Sequence, residues 1–151
     1  MTVTIDDLTT MSQTDLDDLF RRSPAGELPD GDAVGSTIVA PGTPVTGPIQ
    51  WFARWLAWQG KVVYRSRGYL VNKVGPFGFH LFKARVYVAP SWFDNQPAII
   101  LDYSRTSLLA HQVRDEIREV SPGVYLGIVF YGREKSINFV LDFSAAAHQG
   151  A

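Results

Sequence analysis

The chain has 151 residues, of which 46% are apolar and 19% charged, so it can bury a core and is not disordered by composition. Lys plus Arg number 14 against 15 for Asp plus Glu, a net charge of −1 that excludes bulk electrostatic attraction to nucleic acid or to an anionic membrane. There is no cysteine, which excludes a disulfide scaffold, a thiol nucleophile and cysteine-ligated metal centres.

The first residues, Met1 to Asp7, are acidic and lack both a basic region and an apolar run, so no export signal is read. The most apolar stretch, Ile49 to Trp58, is interrupted by Gln50 and Arg54 and is too short to span a bilayer. A cytoplasmic protein is expected. Leu16, Leu19 and Phe20 recur at the spacing of one helix face, with Leu8 and Met11 as an extension. Ser12-Gln13-Thr14-Asp15 supplies a start signal, and Ser23-Pro24 a stop, because the residue before proline is pushed out of the α region. Residues 1–30 therefore read as a helix and a loop.

From Gly31 the pattern changes to short strands. Gly35–Val39 is extended, and a proline- and glycine-rich loop follows through Pro48. Trp51, Trp55 and Trp58, with Phe52 and Leu56, predict a second helix over residues 47–59. Strands are expected at Lys61–Tyr64, Tyr69–Val74, Gly78–Val88, Ala98–Tyr103, Val113–Val120, Val124–Tyr131 and Ser136–Phe143. Turn residues separate them, among them Arg67-Gly68, Gly75-Pro76, Ser121-Pro122-Gly123 and Gly132. Leu109, Val113 and Ile117 also fit a short helix leading into a strand. Strands in this succession, with no helices between them, predict a mainly β fold. The form expected is an antiparallel, lipocalin-like barrel of about eight strands over residues 31–144, with a flexible tail at 145–151.

Several motifs resemble, in the same order, those of the small bacterial GXWXG-type proteins. They are Gly31-Asp32-Ala33-Val34-Gly35, Trp58-Gln59-Gly60-Lys61, and Val113 to Val120 followed by Tyr125-Leu126-Gly127. Ala33 stands where the family has tryptophan, and Glu116 where it has histidine. The resemblance implies a lipocalin-like barrel and puts Lys61 and Asp115 on motif positions, without carrying over a role for either.

The common catalytic signatures are absent: no G-x-S-x-G elbow, no phosphate loop, no G-x-G-x-x-G. The three histidines share no metal-ligand spacing, so neither a metal nor a cofactor is expected. Alternation in Gly78–Val88 puts His80 on one face with Phe82, Ala84 and Val86, where it is either a satisfied core histidine or a usable acid or base. Asp102 and Tyr103 end an apolar strand and mark either a barrel mouth or a turn. Among Arg114, Asp115, Glu116, Arg118 and Glu119, a cluster expected to be mostly solvated, Asp115 shares its face with Val113 and Ile117 and is the inward acid. Trp92-Phe93 lies in a turn-rich segment and reads as a poorly covered pair suited to a lid or a homodimer contact.

Three functions fit these residues. The first is binding of a small apolar or aromatic ligand in a barrel cavity, oriented by Trp55, Trp58, Lys61, His80, Lys83, Arg85, Tyr103 and Tyr125. The second is a cofactor-independent cyclase, isomerase or lyase acting on an apolar metabolite, with His80, Tyr103 and Asp115 as general acid or base. The third is a filled-core interaction protein. No nucleic-acid or membrane partner is expected.

Overall fold

A computed structural model describes residues 3–38, 60–74, 79–108 and 110–144. The expected tryptophan-rich helix at 47–59 and the tail at 145–151 lie outside the described residues, as do Trp55 and Trp58. Two short helices, α1 (Ile5–Thr10) and α2 (Gln13–Arg22), precede eight strands. These are β1 (Gly31–Ile38), β2 (Gly60–Tyr64), β3 (Tyr69–Val74), β4 (Phe79–Pro90), β5 (Pro97–Asp102), β6 (Val113–Ser121), β7 (Val124–Tyr131) and β8 (Glu134–Asp142). Each strand pairs antiparallel with the next, and β8 pairs with β1, closing the barrel. Val113 and Ile117, for which a short helix is the alternative, lie in strand β6, while Leu109 lies outside the described residues.

The N-terminal helix is broken in two. Ser12 takes an extended conformation and its side chain accepts the Asp15 N–H, so it starts α2 and no helix can run through it. Thr4 and Asp7 form a reciprocal capping box that starts α1. No described helix is long and apolar enough to cross a membrane.

Side chains separate into two clusters, following the alternation along each strand. Ile99 and Leu101 join Val63, Leu70, Ala84, Ile117, Phe139 and Leu141 in the barrel interior. Ala98 and Ile100 join Leu126, Ile128 and Val140 on the outside, where Leu8, Leu16, Leu19 and Phe20 of the helices cover them. Several strands are therefore apolar on both faces, one facing the lumen and one facing the helices.

One end of the barrel is closed by the loop after α2. Ala25 and Leu28 pack on the interior cluster, the Tyr125 hydroxyl donates to the Glu27 carbonyl at 2.6 Å, and Arg65 Nη1 donates to the Leu28 carbonyl at 3.0 Å. Arg118 fastens α2 to the wall, and all five of its N–H groups are used. They reach Asp94 twice at 2.7 Å, the Phe20 carbonyl at 2.8 Å, Gln96 O at 3.0 Å and Pro97 O at 3.1 Å. Glu116 is also fully buried, held by Ser91 Oγ, the Trp92 N–H and Arg114. The solvated face expected around Arg114–Glu119 is therefore corrected for Glu116 and Arg118, which are buried because loop and helix pack over that part of the wall, while Asp115 is buried on the lumen side, as its alternation with Val113 and Ile117 predicts.

Trp92 is exposed, as expected, whereas Phe93 is half-buried. Phe93 meets Phe20 edge-on at 5.8 Å, and Trp92 meets Phe130 edge-on at 5.7 Å with the Arg114 and Arg133 guanidinium groups over its ring.

Candidate functional site

Four polar side chains meet inside the barrel. Lys61 comes from β2, Asn72 from β3, Asp115 from β6, and Tyr103 from the residue just past β5. Alternation brings them inward: Lys61 shares its face with Val63, Asn72 with Leu70 and Val74, Asp115 with Val113 and Ile117, and Tyr103 with Ile99 and Leu101. In an eight-strand closed order β2 and β6 lie opposite each other, so the Lys61–Asp115 pair bridges the lumen.

The contacts converge on Lys61 Nζ. It donates to Asn72 Oδ1 at 2.6 Å and to the Tyr103 hydroxyl at 2.7 Å, and it lies 3.2 Å from Asp115 Oδ2. Asn72 Nδ2 donates to the Phe82 carbonyl at 2.9 Å and to the Tyr103 hydroxyl at 2.7 Å. The ammonium also stands over the rings of Tyr103, at 5.4 Å, and Phe139, at 5.6 Å. All four residues are buried, Lys61 to 3% and Asp115 to 4% exposure. Asp115 Oδ1 has no hydrogen-bond partner among the described residues.

Two glycines make this geometry sterically feasible. Gly60 has φ +140°, and a Cβ there would overlap the Ala33 carbonyl oxygen, so glycine permits the close approach of β1 that seats Lys61. At Gly127 a Cβ would overlap the Phe139 ring, the ring that covers the ammonium.

Burial pulls the Lys61 ammonium toward its neutral form, but the oxygens of Tyr103 and Asp115 more than offset this, and its pKa lies above the ordinary lysine value. Burial raises the Asp115 carboxyl above the usual carboxylate range against the opposing pull of Lys61. It raises the Tyr103 phenol in the same way. The result is a protonated lysine beside an aspartate more basic than a free one.

Of the remaining expected site residues, those among the described residues do not join this cluster. His80 is exposed, which corrects the sheltered position expected from alternation. The reason is a bulge: Leu70 pairs with Ala84 but Asn72 with Leu81, so Val71 faces two residues, and Phe82 takes φ +56°. The extra residue reverses the faces on its N-terminal side and puts His80 outside, opposite Lys73. Lys83 is exposed, with its ammonium 4.1 Å from the Tyr69 ring centre. Arg85 is exposed beside Tyr87. Tyr125 is buried, but at the closed end, against the loop after α2. Tyr103 and Asp102 divide the two roles considered for them. Asp102 Oδ1 accepts from the Ser104 N–H at 2.9 Å and from its hydroxyl at 2.6 Å, making the turn, while Tyr103 points inward. Asn72 was missed in the sequence. Its signal was there, since an amide between Leu70 and Val74 on one strand face is a buried polar group in need of partners.

Fold and cluster together define a small eight-stranded antiparallel barrel with a charge network in its lumen. No family model and no curated protein matches the sequence. The chain is similar to a solved structure, that of a protein from Thermomonospora curvata, at 16% identity and a TM-score of 0.60 over 88% of this chain and 88% of that one. At that identity the likeness shows the fold alone.

Proposed function

We propose that the lumen binds a small, mostly apolar ligand whose polar end meets Asp115 and Tyr103. The observation that carries this reading is the buried Lys61–Asp115 pair with an unpartnered carboxylate oxygen. Removing two charges from water costs several kcal/mol per ion, and a hydrophobic pair of similar size is often as stable or more so. An unsatisfied acceptor adds about 1–3 kcal/mol of penalty. Fold stability alone therefore gives no reason for the cluster, whereas a ligand that completes its hydrogen bonding does. The resemblance to the GXWXG-type proteins supports the same residues, because two of its motif positions, Lys61 and Asp115, meet here.

A second reading, a cofactor-independent isomerase, lyase or cyclase, is favoured by one observation. A basic carboxylate and a phenol lie side by side, which is the equipment for moving a proton within an apolar pocket. In that case Asp115 and Tyr103 carry the chemistry and His80, on the outer surface, has no part in it.

Titration with the neutral fluorophore N-phenylnaphthylamine tests binding. Saturable binding with a Kd in the micromolar range, about −8 kcal/mol, is expected. It is expected to weaken in a Lys61→Met, Asp115→Leu double variant that keeps its circular dichroism. If no neutral apolar probe binds saturably, the filled-core reading replaces this one.

A further inference from the structure

Among the described residues the hydrogen bonds of the cluster leave one acceptor, Asp115 Oδ1, without a donor. The Lys61 ammonium faces, among the described residues, Asn72 Oδ1, the Tyr103 hydroxyl and Asp115 Oδ2. The amide of Asn72 accepts from Lys61 and donates both its hydrogens, to Phe82 O and to Tyr103. A phenol has two acceptor sites and one donor. On Tyr103 both acceptor sites are taken, by Lys61 and Asn72, and the acceptor paired with its proton, Asp115 Oδ2, is 3.5 Å away. That distance leaves the proton weakly held. Among the described residues Asp115 Oδ1 thus accepts no hydrogen bond, and beside it the Tyr103 hydroxyl has only its long 3.5 Å bond to the other oxygen of the same carboxylate.

We propose that the ligand is a neutral alcohol, its hydroxyl donating to Asp115 Oδ1 while accepting from the Tyr103 hydroxyl. This rests on the reading of the lumen as a ligand site. A hydroxyl is a small neutral group that carries a donor and acceptor lone pairs on a single atom, so it can donate to Asp115 Oδ1 and accept from the weakly held Tyr103 proton. Charged ligands are disfavoured because the site already balances one positive and one negative charge, so an added carboxylate or ammonium stays uncompensated in the interior. Ethers and ketones accept but do not donate, and they leave Asp115 Oδ1 unsatisfied.

Competition against N-phenylnaphthylamine tests the assignment with naphthalenemethanol, its methyl ether, acetonaphthone, naphthoate and methylnaphthalene, and with the matching cyclohexyl series. Naphthalenemethanol or cyclohexylmethanol is expected to bind about tenfold tighter than its ether, with the anion weakest. Asp115→Asn turns the order round. Its amide oxygen stays toward the Lys61 ammonium, so the NH2 replaces Oδ1 with a donor, and the ketone is expected to overtake the alcohol. Tyr103→Phe removes the other contact, and with it the alcohol's advantage over the bare hydrocarbon is expected to shrink severalfold. Equal binding of alcohol, ether and hydrocarbon by the unaltered protein would overturn the alcohol assignment and leave the lumen a ligand site. Failure of every congener and of the fluorophore to bind would overturn both.

Discussion

Lys61 and Asp115 hold each other in a place where neither is comfortable alone. Lys61→Met leaves a buried carboxylate without its cation, and a loss of about 3–5 kcal/mol is expected in urea unfolding. The Lys61→Met, Asp115→Leu double variant removes both charges and is expected to recover most of that stability, or to exceed the original by about 1–4 kcal/mol. A double variant less stable than the single one would show that the pair supports the fold. Asp94 behaves differently, since the Arg118 hydrogen bonds hold its carboxyl below the usual range. A depressed folded pKa means the unfolded chain takes up the proton first. The stability Asp94 contributes is therefore full above its ordinary pKa of 3.8 and lost as pH falls below it. Asp115 has the opposite sign: its raised carboxyl favours the folded state at low pH and loses that advantage as pH rises through its folded value. Asp94→Asn is expected to flatten the acid limb of a stability–pH profile below about pH 4, and an unchanged limb would count against the assignment.

Strand β4 shows how one inserted residue redirects a whole segment. Its bulge at Phe82 brings Ala84 and Val86 to the interior and sends His80 to the surface. Strand β2 depends on Gly60 instead. Gly60→Ala forces a Cβ against the Ala33 carbonyl at a φ that side chains rarely adopt, and a loss above about 2 kcal/mol is expected in thermal melts. A stable alanine variant would mean that β1 can shift outward. Helix α2 is held from beneath by Arg118, which reaches the carbonyl of Phe20 in its last turn. Arg118→Ala strips partners from Asp94 and three backbone carbonyls, with an expected cost of about 3–5 kcal/mol and a drop in far-ultraviolet helix signal before the barrel unfolds.

The molecule is built as one wall between two apolar layers, the lumen inside and the helix-covered cluster outside. Because Phe20 and Arg118 tie the helices to the outer face of the barrel wall, backbone circular dichroism and tryptophan fluorescence are expected to report one coincident urea transition. Separate midpoints would show that the helices detach as their own unit. The barrel itself was legible in the chain. Its alternation, its turn residues and the close succession of strand patterns after Lys61 are local features, and Tyr69–Val74 and Val124–Tyr131 form the strands their periodicity predicts. Part of the site was legible for the same reason, since alternation alone turns Asp115 inward with Val113 and Ile117. The meeting of Lys61, Asn72, Tyr103 and Asp115 was not, because it depends on closure of the barrel, which brings residues from opposite walls within hydrogen-bonding distance. Nor was the surface position of His80, since a bulge depends on how two strands register against each other. Short-range pattern determined the faces; only the closed sheet decided which of those faces touch.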